Sequence, residues 1–254
     1  MFAFQADFAL TQTLSQEIQV VLCHASSIKA GDVMLIRKHK HVSISTMPEA
    51  ECHYGRTSTG VDLIHDRTSL DIDAHFTFSS YMPFQARLCL QYLRSRNHVH
   101  VCAHDWKAPK DNTMTVDSAF LLITQKSGKA LGRDNMSVLR VGAQADLVIF
   151  DTSTPGLWAS CDPVAAIVLH TGGASDLESV ILAGKWLKND HQLLSSANDR
   201  PDVQDIRRRF EASALRLQGA WEKMDKPRFD VDRDTNSGLA RFSRCGISGT
   251  QVAA

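Results

Sequence analysis

The chain has 254 residues, of which 43% are hydrophobic, so it can bury a sizeable core as one large domain or two small ones. Lysine plus arginine and aspartate plus glutamate balance at 28 each, and no basic run is interleaved with aromatic residues. This balance removes the electrostatic attraction on which binding to nucleic acids and anionic membranes depends, so we expect neither partner.

The N-terminal residues and the cysteines indicate the compartment. Residues 1–10 contain no lysine or arginine and show no small-residue cleavage pattern, which argues against secretion. No apolar run approaches the roughly 18 residues that a membrane span needs. The six cysteines show no Cys-x-x-Cys spacing, as expected for small buried side chains in a reducing compartment. We therefore expect a cytoplasmic protein.

The first part of the chain predicts alternating strands and helices. Its apolar runs predict strands over 18–23, 42–45 and 69–73, the first of them buried on both faces. Helical periodicity predicts helices over 8–16, 30–39, 83–96 and 116–130. The order strand, helix, strand is typical of a parallel α/β sheet.

From about Ser137 the pattern changes to antiparallel strands. Residues 137–151 predict two strands around a turn at Gly142, and residues 177–188 predict a hairpin that turns at Ala183-Gly184. A polar linker then precedes an amphipathic helix over 203–224 and a mobile tail over 225–254. The chain is thus predicted to have three parts, residues 1–135, 136–194 and 195–254.

Two of the predicted parallel strands end in side chains that suit a metal site. His24 follows the apolar run 20–23, and Asp73 closes the run 69–73. Because the parallel strands of a barrel carry their active residues at their carboxyl ends, the pair predicts part of a metal-dependent hydrolase site. Each residue also has a structural alternative, His24 as a hydrogen-bonded core histidine and Asp73 as a helix N-cap.

Six short phrases occur in the order seen in the amidohydrolase superfamily. They are LCHA (22–25), TMPEAE (46–51), SLDID (69–73), KALG (129–132), VGAQADLV (141–148) and AGK (183–185). The set most resembles the branch of cytosine, guanine and S-adenosylhomocysteine deaminases and chlorotriazine hydrolases, over roughly residues 15–195. The resemblance implies an α/β fold: the C-terminal part of a TIM-like (β/α)8 hydrolase barrel, then strands of a small β-sandwich and a helical tail.

The resemblance also implies roles for four residues. Asp73 matches the aspartate after strand 8, which binds the metal and accepts a proton from the attacking water, and His24 matches the strand-6 histidine, which orients or stabilises the attacking hydroxide. Glu51 falls where the family places a residue facing the substrate. His75, two residues beyond Asp73, is expected near the site, with an ordinary loop histidine as the alternative.

The implied chemistry is hydrolysis of a carbon–nitrogen bond other than a peptide bond in a small aminated heterocycle. The implied cofactor is one divalent metal, usually zinc and sometimes iron. The oligomeric state stays open, with a homo-oligomer as one alternative. No sequence feature selects one heterocycle over another.

The sequence departs from the family pattern in two respects. Asp71 stands where the family usually has glycine. The family's strand-1 His-x-His pair, its strand-5 histidine and a catalytic glutamate all precede the position of His24, and residues 1–17 contain no histidine. A whole barrel takes about 200 to 250 residues. We therefore expect the C-terminal portion of an enzyme, inactive unless the missing strands are supplied, or alternatively a non-catalytic interaction module or gene-model fragment.

Two histidine clusters elsewhere permit metal interpretations. The motif HVHVCAH (98–104) alternates donors with a two-residue period, so a strand there would present four donors on one face and could hold zinc. Because structural zinc sites usually join two separate segments, a polar, partly exposed loop is the favoured alternative. The HKH triplet (39–41) ends a predicted helix, where basic side chains complement the helix dipole, and we expect a solvated helix terminus.

Overall fold

A computed structural model of the chain describes residues 18–75, 77–105, 109–194, 203–225, 230–231 and 240–241. The chain has a mixed α/β fold and divides into two compact units, Met1–Leu194 and Ser195–Ala254. The helix predicted over 8–16 and most of the predicted tail lie outside the described residues. The further boundary predicted between residues 135 and 136 stays a prediction.

Three short parallel strands form the first sheet. They are β1 (Val20–Cys23), β2 (Val42–Thr46) and β3 (Thr68–Leu70), side by side in that order. In register, Cys23 pairs with Ser45 and Ser45 with Ser69, so the carboxyl ends of all three strands meet at one edge of the sheet. The predicted parallel sheet is confirmed, although β3 ends at Leu70, so the residues from Asp71 onward belong to the following loop.

Six α-helices lie between and after these strands in the described part of the first 130 residues. They are α1 (Ala30–Lys38), α2 (Pro48–His53), α3 (Thr59–Ile64), α4 (Met82–Asp105), α5 (Val116–Ile123) and α6 (Gln125–Ala130). The single helix predicted over 116–130 is two helices, because the backbone of Thr124 leaves the helical region at φ −124° and ψ −105°. Past α6 the chain turns at Gly132, whose φ of +70° suits glycine.

The core lies between the parallel sheet and these helices. Val42 and Ile44 of β2 pack with Ile36 of α1 and Ile64 of α3, and all four side chains are buried. In β1, Val20 and Leu22 pack against this cluster, whereas the alternate residue Val21 is 36% exposed. The prediction that β1 is buried on both faces is therefore wrong, because the face that carries Val21 and Cys23 is exposed.

An antiparallel sheet forms the second part of this unit. Its strands are β4 (Leu147–Phe150), β5 (Leu177–Leu182), β6 (Lys185–Asn189) and β7 (Gln192–Leu193), hydrogen-bonded in chain order. The hairpin between β5 and β6 turns at Ala183 and Gly184, as predicted, with φ values of +49° and +76°. The Asp146 carboxylate accepts a hydrogen bond from the Ala183 N–H at 2.7 Å. This hydrogen bond therefore joins the sequence motifs at 141–148 and 183–185.

The strand predicted over residues 137–141 is absent from the structure, which has β4 as its only strand between residues 137 and 151. Leu139 and Val141 are exposed, and the chain turns between Arg140 and Ala143 without a neighbouring strand to pair with. After β4 comes the short helix α7 (Pro163–Ala165), which continues as a π-helical turn, Ala166–His170.

The second unit contains one long helix, α8 (Val203–Glu222), which matches the predicted amphipathic helix. Two short strands, β8 (Asp230–Val231) and β9 (Ala240–Arg241), pair antiparallel. None of the helices in the described residues has the length and apolar character that crossing a membrane requires.

Candidate active site

His24 directly follows β1 and starts the loop at the carboxyl edge of the sheet. Its N–H donates to the Ser45 carbonyl oxygen at 2.8 Å, one residue beyond the strand. The φ angles of His24 and Ala25 are +64° and +51°, a left-handed backbone that costs about 1 to 3 kcal/mol at a residue other than glycine. The His24 side chain is 33% exposed. The ring is therefore partly open to solvent, and the alternative of a hydrogen-bonded core histidine stays open.

Glu51 is the hydrogen-bond partner of His24. It lies in the first turn of α2 and is 1% exposed. One carboxylate oxygen, Oε1, is 2.9 Å from Nδ1 of His24, and the other, Oε2, accepts a hydrogen bond from Oγ of Ser26 at 2.6 Å. A carboxylate out of water needs such partners. The predicted substrate contact of Glu51 stays a prediction, and a substrate reaching it would have to displace these hydrogen bonds.

Asp73 and His75 lie in the loop after β3, at the same edge of the sheet. Both are exposed, and Asp73 has a left-handed backbone, with φ +59°. Asp73 is not an N-cap, because the next helix in the chain, α4, begins at Met82. Within the described residues, no hydrogen bond or ion pair joins Asp73 to His24. The structure thus places the two predicted catalytic residues at one edge of the sheet, after β1 and β3, with β2 between them and without direct contact.

Asp71, where the family usually has glycine, connects its loop to β2. The Asp71 N–H donates to the Thr46 carbonyl oxygen at 2.9 Å, and its Oδ2 accepts a long hydrogen bond from Oγ of Ser45 at 3.5 Å. Its other oxygen, Oδ1, accepts from the N–H of Ile72 at 2.6 Å. The left-handed residue of this loop is Asp73 and not Asp71, so the backbone here does not require glycine at position 71.

Helix α2 also holds the loop that follows Asp73. Oε2 of Glu49 accepts hydrogen bonds from the N–H of Ser79 at 2.7 Å and from Nε2 of Gln85 at 2.8 Å. Phe78 is buried against Met47 and Ala50. The first turn of α2 therefore contacts the loop after β1 through Glu51 and the loop after β3 through Glu49.

Sequence analysis did not identify Ser26, Glu49 and Gln85 as part of this arrangement. For Glu49 a signal was available, since two glutamates two residues apart come just after Pro48, which follows the predicted strand 42–45. Ser26 and Gln85 are common residue types in unremarkable positions, and only the folded chain brings them to the two glutamates.

The described residues do not form a complete metal site. No group of three or more histidine, cysteine, aspartate and glutamate side chains among them is arranged to hold an ion. Asp73 could supply one oxygen ligand, whereas a catalytic zinc ion usually takes three protein ligands. The residues present therefore do not fit a divalent metal without further donors.

The two other histidine motifs lie on or beside helices. The motif at 98–104 lies within helix α4, so the backbone is not the strand on which the zinc alternative depends, and the favoured loop is wrong. At 39–41, the N–H of His39 donates to the Ile36 carbonyl oxygen at the end of α1. His41 is only 7% exposed, so the expected solvation is wrong for this residue, which directly precedes the buried strand β2.

The chain matches no protein-family model. A 5-methylthioadenosine/S-adenosylhomocysteine deaminase 1 from Syntrophus aciditrophicus is 29% identical over 96 residues, which cover 37% of this chain and 21% of that protein. A 5-methylthioadenosine/S-adenosylhomocysteine deaminase from Pelotomaculum thermopropionicum is 23% identical over 203 residues, which cover 79% of this chain and 43% of that protein.

Solved structures share the fold. An adenosine deaminase from Xanthomonas campestris with bound zinc has a TM-score of 0.62 at 15% identity and covers 78% of this chain and 42% of its own. Atrazine chlorohydrolase from Arthrobacter aurescens, complexed with zinc, has a TM-score of 0.61 at 15% identity, with coverages of 76% and 40%. These matches indicate the amidohydrolase superfamily. The resemblance predicted from the sequence is confirmed.

The coverage of these amidohydrolases is partial. The chain spans less than half the length of each of the four proteins, and this fits their C-terminal portion. At 15% identity the solved structures support the fold alone.

Proposed function

We propose that the chain carries the C-terminal portion of an amidohydrolase that hydrolyses a carbon–nitrogen bond, other than a peptide bond, in a small aminated heterocycle. The observation that carries the proposal is the carboxyl edge of the parallel sheet, where His24, bound to the buried Glu51, follows β1 and the exposed Asp73 lies in the loop after β3, with β2 between the two strands. In this proposal β1, β2 and β3 are strands of a TIM-like barrel, and β4 to β7 belong to a sandwich.

The two side chains suit the proton transfers of a hydrolytic deamination. Such a reaction needs a base that takes a proton from water and an acid that protonates the leaving amine. The exposed Asp73 carboxylate can accept a proton, and Nε2 of His24 is free to exchange one, since Nδ1 is bound to Glu51. We assign these two proton-transfer roles to the side chains of Asp73 and His24 themselves.

The metal is the incomplete part of the proposal. Asp73 is the only ligand that we assign, and the described residues provide no set of three donors. The related structures named above contain zinc, and zinc is therefore the ion to test first, with iron as the alternative. The remaining ligands would have to come from residues outside the described ones or from another chain.

A deaminase assay tests the proposal directly. The purified chain, supplied with zinc, is incubated with 5-methylthioadenosine, S-adenosylhomocysteine or adenosine, the substrates that the names of the related proteins suggest, and released ammonia is measured. We expect His24→Asn and Asp73→Asn each to lower the rate by about 10²- to 10⁴-fold. The matched control is His191→Asn, in the antiparallel sheet, which should keep the rate. Measurable and equal rates of ammonia release in all four chains would contradict the proposal.

The second candidate is a non-catalytic interaction module, which the incomplete donor set of the described residues favours. Zinc content after dialysis separates the two candidates. About one zinc per chain in the wild type, lost in Asp73→Asn, supports the hydrolase. A folded wild-type chain that retains no zinc and releases no ammonia supports the module.

A further inference from the structure

The contact between His24 and Glu51 is built from rigid parts. Glu51 is 1% exposed, and its N–H donates to the Met47 carbonyl oxygen at 2.8 Å in the first turn of α2. The Glu51 carbonyl oxygen accepts from the N–H of Arg56 at 2.7 Å. The backbone that carries the carboxylate is therefore held on both sides, and the side chain has little freedom to move away from His24.

The loop that carries His24 is held in the same way. Oγ of Ser26 donates to Oε2 of Glu51, and the Ser26 carbonyl oxygen accepts from Oγ1 of Thr59 at 2.8 Å. The left-handed backbone of His24 and Ala25 costs free energy that surrounding contacts have to offset. Glu51 stabilises that backbone through two hydrogen bonds, one to His24, the first residue of the strained pair, and one to Ser26, the residue after the pair.

The chemistry of the contact selects one form of the imidazole. An ionised carboxylate only accepts hydrogen bonds, and the Ser26 hydroxyl already donates to one of its oxygens. Nδ1 of His24 must then donate to the other oxygen, at 2.9 Å, and in the neutral ring the proton is on Nδ1. Nε2 is left as the proton acceptor, as in sites where a carboxylate orients a catalytic histidine.

We propose that Glu51 is a positioning residue, which holds His24 in one orientation as the Nδ1–H tautomer and presents Nε2 to the reacting groups. This role is additional to the substrate contact predicted from the sequence, which stays a prediction. Its catalytic meaning rests on the proposed function, whereas the tautomer is a property of the folded chain with or without activity.

Long-range ¹H–¹⁵N NMR of the full chain with ¹⁵N-labelled histidine tests the tautomer, and His24→Asn assigns the signals of His24. A histidine free of contacts favours the Nε2–H form. We expect His24 of the wild type in the Nδ1–H form at a pH where the ring is neutral. We expect Glu51→Gln to lose this preference, because an amide can donate to Nδ1 as well as accept from it. A wild-type His24 in the Nε2–H form overturns the proposal.

Glu49→Gln is the matched control, since it changes the same side chain in the same turn of α2 and touches the loop after β3, not His24. It should leave the His24 tautomer unchanged, and circular dichroism checks that both variants are folded. If Glu51→Gln does not fold, Ser26→Ala takes its place and should weaken the Nδ1–H preference. A tautomer that responds equally to Glu49→Gln and Glu51→Gln would show a general loosening of α2 and overturn the assignment.

Kinetics separates this inference from the proposed function. In an active chain, Glu51→Gln should lower kcat by about 10- to 100-fold with little change in KM. A variant with an altered tautomer and an unchanged kcat would overturn the positioning role. A wild-type chain that shows the Nδ1–H form but releases no ammonia would count against the proposed function and leave the structural assignment of Glu51 supported.

Discussion

The two sheets of the first unit use buried and half-buried carboxylates in different ways. In the antiparallel sheet, Asp146 accepts hydrogen bonds from the Ala183 N–H and from the Gln144 amide, and so closes a turn. In the parallel sheet, Glu51 accepts from His24 and Ser26, and His24 keeps a second ring nitrogen that can exchange protons. Both carboxylates belong to phrases typical of the family. Of the two, only Glu51 contacts a side chain that can exchange protons, so only this contact indicates a catalytic role.

The sheets also differ in burial, and the largest expected effect follows from this. Ile44 of β2 is fully buried, whereas Val148 of β4 is 53% exposed, although both lie in apolar strands. We expect Ile44→Ala to lower the free energy of unfolding by about 2 to 5 kcal/mol and Val148→Ala by about 0.5 to 1 kcal/mol. Urea denaturation measures both. Equal losses would show that the antiparallel sheet is covered in solution.

Removal of the Asp146 carboxylate tests its purely structural role. We expect Asp146→Ala to cost about 1 to 3 kcal/mol, because the Ala183 N–H loses its acceptor, and Asp146→Asn to cost less, because the amide oxygen can still accept. Thermal unfolding measures the loss. The ammonia release of a folded Asp146→Asn chain should equal that of the wild type, and a large change would place Asp146 in the site.

The thiols of Cys89, in the core, and Cys161, which follows β4, should differ in reactivity. Burial raises the pKa of Cys89 from its ordinary 9.0 to about 12, with a smaller contribution from Cys52, whereas Cys161 is exposed. We expect iodoacetamide to modify Cys161 at pH 8 well before Cys89, as followed by peptide mass spectrometry. Comparable rates would mean that the core around α4 opens readily.

The raised pKa of Cys89 also makes the free energy of unfolding depend on pH above about 9. Because the folded-state pKa of Cys89 is raised, its contribution to stability is present below about pH 9 and is lost as the pH rises toward about 12. Cys89→Ala should therefore lose less stability than the wild type between these pH values. An identical loss in both chains would contradict the shift.

The smallest effect is expected at Asp151, beside β4. Hydrogen bonds from Ser153, and then the neighbouring His191, hold the pKa of the Asp151 carboxyl below its ordinary 3.8. Its contribution to stability is thus present above about pH 4 and is lost as the pH falls through the lowered pKa. We expect Ser153→Ala to raise this pKa in an NMR titration, and His191→Asn to raise it less. The reverse order would show that His191 is the main cause.

Local patterns predicted much of the fold. The apolar run before His24 predicts β1, and the Ala183-Gly184 turn predicts its hairpin, because both depend on neighbours in sequence. The motif at 98–104 misleads, because its period of two belongs to donor side chains and not to apolar ones, and α4 runs through it. Residues 137–141 are apolar enough for a strand, but no other strand lies beside them to complete the backbone hydrogen bonds.

From the sequence alone one obtains the resemblance to amidohydrolases, the three parallel strands and the hairpin of β5 and β6, and the choice of His24 and Asp73, which follow two of those strands. The contact between the imidazole of His24 and the buried Glu51, 27 residues farther along the chain, forms only when the chain folds. The physical reason is register: β1 and β2 pair residue by residue, which brings the first turn of α2 to the loop after β1. No local pattern in the chain encodes which side chains such a register brings together.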